Sequence, residues 1–186
     1  MAALFVMTTA PTAARTISVP GNAPSIKGAM IKARAGDIIL VSCGTYREAD
    51  IQVKPGVSLW SGTLQPDCVT IDAGGQGRCL IFSNADSTTN VAGFTLRGGV
   101  ATGSDDQGRG GAVLCENSAP TLTRCNFVSN SATHGGALAT VGKRGPVLKQ
   151  CRFERNEASS TGGAIHWNSN NGSLKVADFG IARALG

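Results

Sequence analysis

The chain has 186 residues, a length that suits one domain with a real core and is too short for a complete protein kinase. Hydrophobic residues make up 41% and charged residues 16%, and 25 glycines outnumber 6 Phe, 2 Trp and 1 Tyr, a composition of short strands and tight turns rather than long helices. Lys and Arg number 17 against 12 Asp and Glu, for a formal charge of +5, but they are scattered. Without a basic stripe or interleaved aromatics, nucleic-acid binding is excluded.

Residues 1–15, with the short apolar run "ALFVM" and small residues near Ala14, read as a disordered tail or the remnant of a signal peptide. No later stretch is apolar enough to span a membrane. Ile26, Ala29, Met30 and Ala33 then fall at helical spacing ahead of Gly36, which predicts a short amphipathic helix. "GDIILVSCGTYRE" and "VSLWSG" follow as strands and turns. Six cysteines, at 43, 68, 79, 115, 125 and 151, show neither CxxC nor Cys/His zinc spacing; their even number permits disulfides in an oxidising compartment without requiring them.

Beyond residue 90 the sequence repeats itself. "LTRCNFVSN" from Leu122, "LKQCRFERN" from Leu148 and "LKVADFGIA" from Leu174 align at a spacing of 26, matching Cys125, Cys151 and Ala177, and Phe127, Phe153 and Phe179. Asn130 and Asn156 match, with Ala182 in the third copy. "GGAV" from Gly110, "GGAL" from Gly135 and "GGAI" from Gly162 alternate with these lines, so each unit is expected to hold two short apolar strands. "VAGFTLRGG" reads as an earlier copy with Phe94 in the phenylalanine position, and "ATGSDDQGR" (101–109) as an insertion of seven residues in one turn.

Such units bury their apolar residues only by stacking. The L-x-x-C-x-F-x-x-N pattern also fits a leucine-rich repeat, but "SATHGGALATVGKRGPV" carries a second apolar patch framed by glycines, which a parallel β-helix accounts for. The chain resembles the right-handed parallel β-helix, or pectin-lyase-like, superfamily, and its "GGA(I/L/V)", "FVSN" and "FERN" motifs are similar to the repeats of chlamydial polymorphic outer-membrane proteins. The resemblance implies an all-β right-handed parallel β-helix over 16–182, a short N-terminal capping helix closing its first coil, and 183–186 as a truncated end.

Stacked coils place equivalent residues in ladders about 4.8 Å apart. Phe94, Phe127, Phe153 and Phe179 are expected in one aromatic row, Asn130 and Asn156 in an amide row at a turn, and Cys125 and Cys151 on adjacent rungs as buried thiols. The ligand-binding candidates are Asp105, Asp106 and Arg109 in the inserted turn: paired carboxylates suit calcium and the arginine suits an acidic sugar, although Gly-Ser-Asp-Asp-Gln-Gly is also ordinary turn chemistry. His134 and His166 stand at different phases around the Gly-Gly-Ala motif and read as turn or surface residues outside any common ladder. No catalytic residue is assigned.

"LKVADFGIARALG" at the C-terminus resembles a protein-kinase activation segment, with Asp178, Phe179 and Gly180 as its metal-binding triplet, but no glycine-rich loop, strand lysine or catalytic-loop aspartate precedes it. The expected function is a non-catalytic β-helical module, secreted or on a cell surface, that contacts glycans or a surface protein and needs no cofactor. The alternatives are a polysaccharide lyase of the same superfamily, which would use calcium, and the truncated β-helix ectodomain of a receptor-like kinase.

Overall fold

The computed structural model describes residues 13–168 and 175–177. The alternating apolar pattern of the strands becomes a stack of parallel coils. The first coil contributes β1 (Thr16–Val19) and α1 (Ile26–Lys32), and the second β2 (Ile38–Val41), β3 (Gly44–Tyr46) and β4 (Ile51–Val53). The third holds β5 (Ser58–Ser61), β6 (Val69–Asp72) and β7 (Leu80–Ser83); the fourth holds β8 (Asn90–Ala92), β9 (Phe94–Arg97), β10 (Val100–Ala101) and β11 (Val113–Glu116). β12 (Thr121–Thr123), β13 (Asn126–Val128), β14 (Ser131–His134) and β15 (Leu138–Val141) make the fifth coil. β16 (Val147–Lys149), β17 (Arg152–Glu154), β18 (Glu157–Thr161) and β19 (Ile165–Asn168) make the sixth, and β20 (Lys175–Ala177) opens a seventh.

Like strands of successive coils pair in parallel, giving a seven-stranded sheet β1-β2-β5-β8-β12-β16-β20, two five-stranded sheets β3-β6-β9-β13-β17 and β4-β7-β11-β15-β19, and a three-stranded sheet β10-β14-β18. This is an all-β, β-solenoid-like architecture with one helix among the described residues. The repeat unit is richer than the sequence pattern suggested: the fifth and sixth coils hold four strands each rather than two.

Side chains alternate in and out along each strand, and the inward rows form one core. Ile17, Ile39, Leu59, Val91, Leu122 and Leu148 make one such row. The corners between sheets are also rows. Gly93, Arg124 and Gln150 turn the chain out of the seven-stranded sheet, and Gly98, Ser129 and Arg155 turn it again, all at positive φ. One left-handed residue per corner lets strands of three or four residues follow one another closely.

At the first coil Ile26, Ala29 and Met30 of α1 are buried, and the helix packs on β1, β2 and β4. Ser25 Oγ accepts from Gly28 N at 3.0 Å, and the Glu48 carboxylate accepts from Ile26 N and Lys27 N at 2.8 and 2.9 Å. Lys54 Nζ donates to the carbonyls of Ile31 and Ala33 at the other end. Side chains from distant parts of the chain thus meet orphan groups at both helix ends. Arg15, on the tail side of the expected boundary, donates to Asp37 Oδ2 at 2.6 Å. That bond, aided by Arg34 N–H, holds the Asp37 carboxyl below the usual carboxylate range.

Register corrects three expectations. Phe127 stacks on Phe153 with ring centroids 4.5 Å apart, but its partner on the preceding coil is Leu96, not Phe94. Phe94 pairs with Val69, two residues earlier along the strand, because both Phe94 and Leu96 are inward and apolar and either would satisfy the pattern. The insertion adds six residues rather than seven: Ala101 pairs with Ala132 and Val113 with Leu138, so the fourth-coil connection is longer by that amount. Finally, Leu148 pairs with Val176 and Lys149 with Ala177, so the third copy is shifted by two from the spacing of 26. Phe179, Ala182 and the kinase-like triplet lie outside the described residues, as do residues 1–12 and the end 183–186.

Candidate functional site

The inserted turn is an ordered structure. Its 3-10 turn, Asp105–Gly108, is clamped from the third coil by Arg78, whose guanidinium donates to the carbonyls of Gln107 and Arg109 at 2.8 Å each. From the fifth coil Thr133 Oγ1 donates to Gly103 O at 3.2 Å. A Cβ at Gly108 would collide with Gly103 O and Thr133, so the turn closes only with glycine there. Asp105 and Asp106 open the turn by their backbone; their side chains lie outside the described residues.

Arg109 leaves the turn and forms a parallel bridge with His134 of the fifth coil, which pairs in turn with Thr161 of the sixth. That last pairing depends on a bulge: Ala132 faces Ala158 while His134 faces Thr161, one residue further than a regular ladder allows. The extra residue explains why the third Gly-Gly-Ala follows at 27 rather than 26, and it re-aims the hydroxyl toward His134.

His166 reaches the same place by another path. It lies on β19 opposite Ala139, so it shares no ladder with His134. Between them stands Gly135, where a Cβ would sit 2.9 Å from His166 Cβ. With no side chain at that corner the two imidazoles meet, ring centroids 5.1 Å apart. Thr161 Oγ1 lies 2.8 Å from His134 Nδ1 and 3.0 Å from His166 Nδ1. The sequence reading kept these histidines apart on their differing phase; the glycine corner brings them together. Burial, then the charges of His134 and Arg109, lower the pKa of His166 below the ordinary histidine value.

The expected structural rows are built as follows. Asn130 is buried; it accepts from Gly99 N at 2.9 Å, donates through Nδ2 to Leu96 O at 3.0 Å, and donates to Asn156 Oδ1 at 2.9 Å. Asn156 Nδ2 donates to Phe127 O at 2.9 Å. Cys125 and Cys151 are buried free thiols that point at the carbonyls of Thr123 and Lys149. Their shared hydrogen bond, with burial, raises the Cys125 thiol pKa. Burial pushes Cys79 up to about 12. Cys43 and Cys68, which the sequence left unpaired, form a disulfide across adjacent coils. Their separation of 25 matches the first step between Gly-Gly-Ala motifs, a signal that could have found them.

A cleft of about 600 Å³ beside α1 is lined by Lys27, Arg47, Glu48, Asp50 and Asp72. Its acids serve the fold: Glu48 holds the helix, Asp50 accepts from Arg78 N, and Asp72 pairs with Arg97 at 2.8 Å. The corner of Arg109, His134, Thr161 and His166 is thus the stronger site. Among the described residues no three His, Cys, Asp or Glu side chains gather to hold a metal ion, and no helix is long and apolar enough to cross a membrane. Comparisons with family models, with curated proteins and with solved structures gave no match.

Proposed function

We propose that the chain is a non-catalytic module of the right-handed parallel β-helix, pectin-lyase-like type, carried on a cell surface or secreted, whose inserted-turn corner contacts acidic glycans. The observation that carries the reading is the convergence of Arg109, His134, Thr161 and His166 from three successive coils on one partly exposed corner. Guanidinium and imidazole suit sugar carboxylates, and the hydroxyl and the turn's amides suit sugar hydroxyls. Parallel coils and the Gly-Gly-Ala corners support kinship with chlamydial outer-membrane repeats, and the Cys43–Cys68 bond supports an oxidising compartment.

The test is co-sedimentation with insoluble polygalacturonate beside an uncharged galactan. The full chain is expected to partition with the acidic polymer alone, with Arg109→Ala lowering retention about tenfold, on the scale of one charge-assisted contact. Equal retention on both polymers would remove the reading. The lyase reading has its own support in an imidazole held below its ordinary pKa beside Arg109, the type of base that proton abstraction next to a uronate needs. Calcium belongs to that reading alone. Release of unsaturated uronate from pectate, lost in Asp105→Ala with Asp106→Ala, would favour it over the non-catalytic one.

A further inference from the structure

We propose that His134, Thr161 and His166 form one proton-sharing unit in which the two imidazoles hold opposite tautomers, and that the single proton this unit takes up on acidification sets the corner's affinity for carboxylate-bearing sugars. The second half rests on the glycan-contact reading; the first stands on geometry alone.

Thr161 Oγ1 is within hydrogen-bond distance of Nδ1 on both rings, at 2.8 and 3.0 Å. A hydroxyl has one hydrogen, so it donates to one Nδ1 only. The other Nδ1 must carry its own hydrogen and donate to Oγ1, giving a directional chain N–H to O–H to N. One ring therefore presents a bare Nε2 and the other an Nε2–H. The first added proton lands on the bare Nε2 and leaves the chain intact. A second must displace the hydroxyl from the Nδ1 it serves, and it sets two cations on rings with centroids 5.1 Å apart. It is resisted on both counts.

The charged groups around the pair come from the inserted turn, the third coil and β18. Arg109 is on the rung before His134, and Arg78 lies one coil further, on the carbonyls of the inserted turn. Asp105 and Asp106 belong to that turn, and Glu157 begins β18; β15 brings none, and among the residues of β19 only His166 titrates. Burial and the positive neighbours lower the His166 pKa, and sugar carboxylates, near ~4, stay ionised well below the ordinary imidazole range. An anion that gains a contact with the protonated pair must, by linkage, bind more tightly as pH falls.

The experiment is an NMR pH titration of the imidazole nitrogens in the full chain, with oligogalacturonate binding measured at pH 5 and pH 8. The chain has only 2 histidines, so His134→Gln and His166→Gln assign each signal. Opposite tautomers at high pH are expected, then two protonation steps separated by about one pH unit or more. Thr161→Val, at an exposed position, is expected to bring the steps closer together. Affinity is expected to be about fivefold higher at pH 5, the effect of one unit charge ~4 Å away in water. Identical tautomers, or coincident independent midpoints in the wild type, would overturn the proton-sharing unit without recourse to any variant. Opposite tautomers with pH-independent binding would overturn its role in recognition. Absence of binding at both pH values would instead overturn the glycan-contact reading.

Discussion

Asn130 shows how one residue can hold a corner. Its amide meets Gly99 N–H, Leu96 C=O and the Asn156 side chain while almost fully buried. Removing it leaves buried backbone groups without partners, and each such group costs about 1–3 kcal/mol. Asn130→Ala is therefore expected to destabilise by about 3 kcal/mol in urea unfolding, and Asn156→Ala, at a position only half-buried, by about 1 kcal/mol. Equal losses below ~0.5 kcal/mol would show that the row carries no load. Residue chemistry of this kind was readable from the sequence for Asn130 and Asn156, because amides at a repeated turn position have backbone groups to satisfy. It was not readable for Arg124, Gln150, Ser129 and Arg155, which hold left-handed corners that composition assigns to glycine. Four strands per coil therefore looked like two.

At the scale of elements, α1 was legible because its apolar spacing, small residues and following glycine agree. Its fixation was not, since Glu48 and Lys54 lie far along the chain from the helix ends they cap. Glu48→Ala frees the amides of Ile26 and Lys27 and is expected to lower stability by about 1 kcal/mol. Hydrogen exchange should accelerate across Ile26–Lys32 and leave β12–β15 unchanged. Unaltered exchange in the helix would mean that packing of Ile26, Ala29 and Met30 alone holds it. The strands show the limit of pattern reading in another way. Phe94 and Leu96 both point inward, so periodicity fixed the face and left the register open by two residues. The same ambiguity lies behind the third copy, where Val176 stands beside Leu148 instead of the leucine that a spacing of 26 predicts.

Across the whole molecule, function depends on what the coils bring together. Arg109 was visible as a candidate because it ends an insertion rich in turn residues. The histidines were not, because ladder logic compares positions one coil apart, and His134 and His166 meet only through a β-bulge and a corner without a side chain. The Cys43–Cys68 bond was missed for a related reason: its separation of 25 is the coil length that the Gly-Gly-Ala motifs display only further along the chain. The most direct test is a crystal structure of the full chain with an oligogalacturonate. The expected result is parallel coils with a sugar carboxylate against Arg109 and the His134–Thr161–His166 cluster. Separated histidine rings, or an ordered sugar bound at another face, would contradict it.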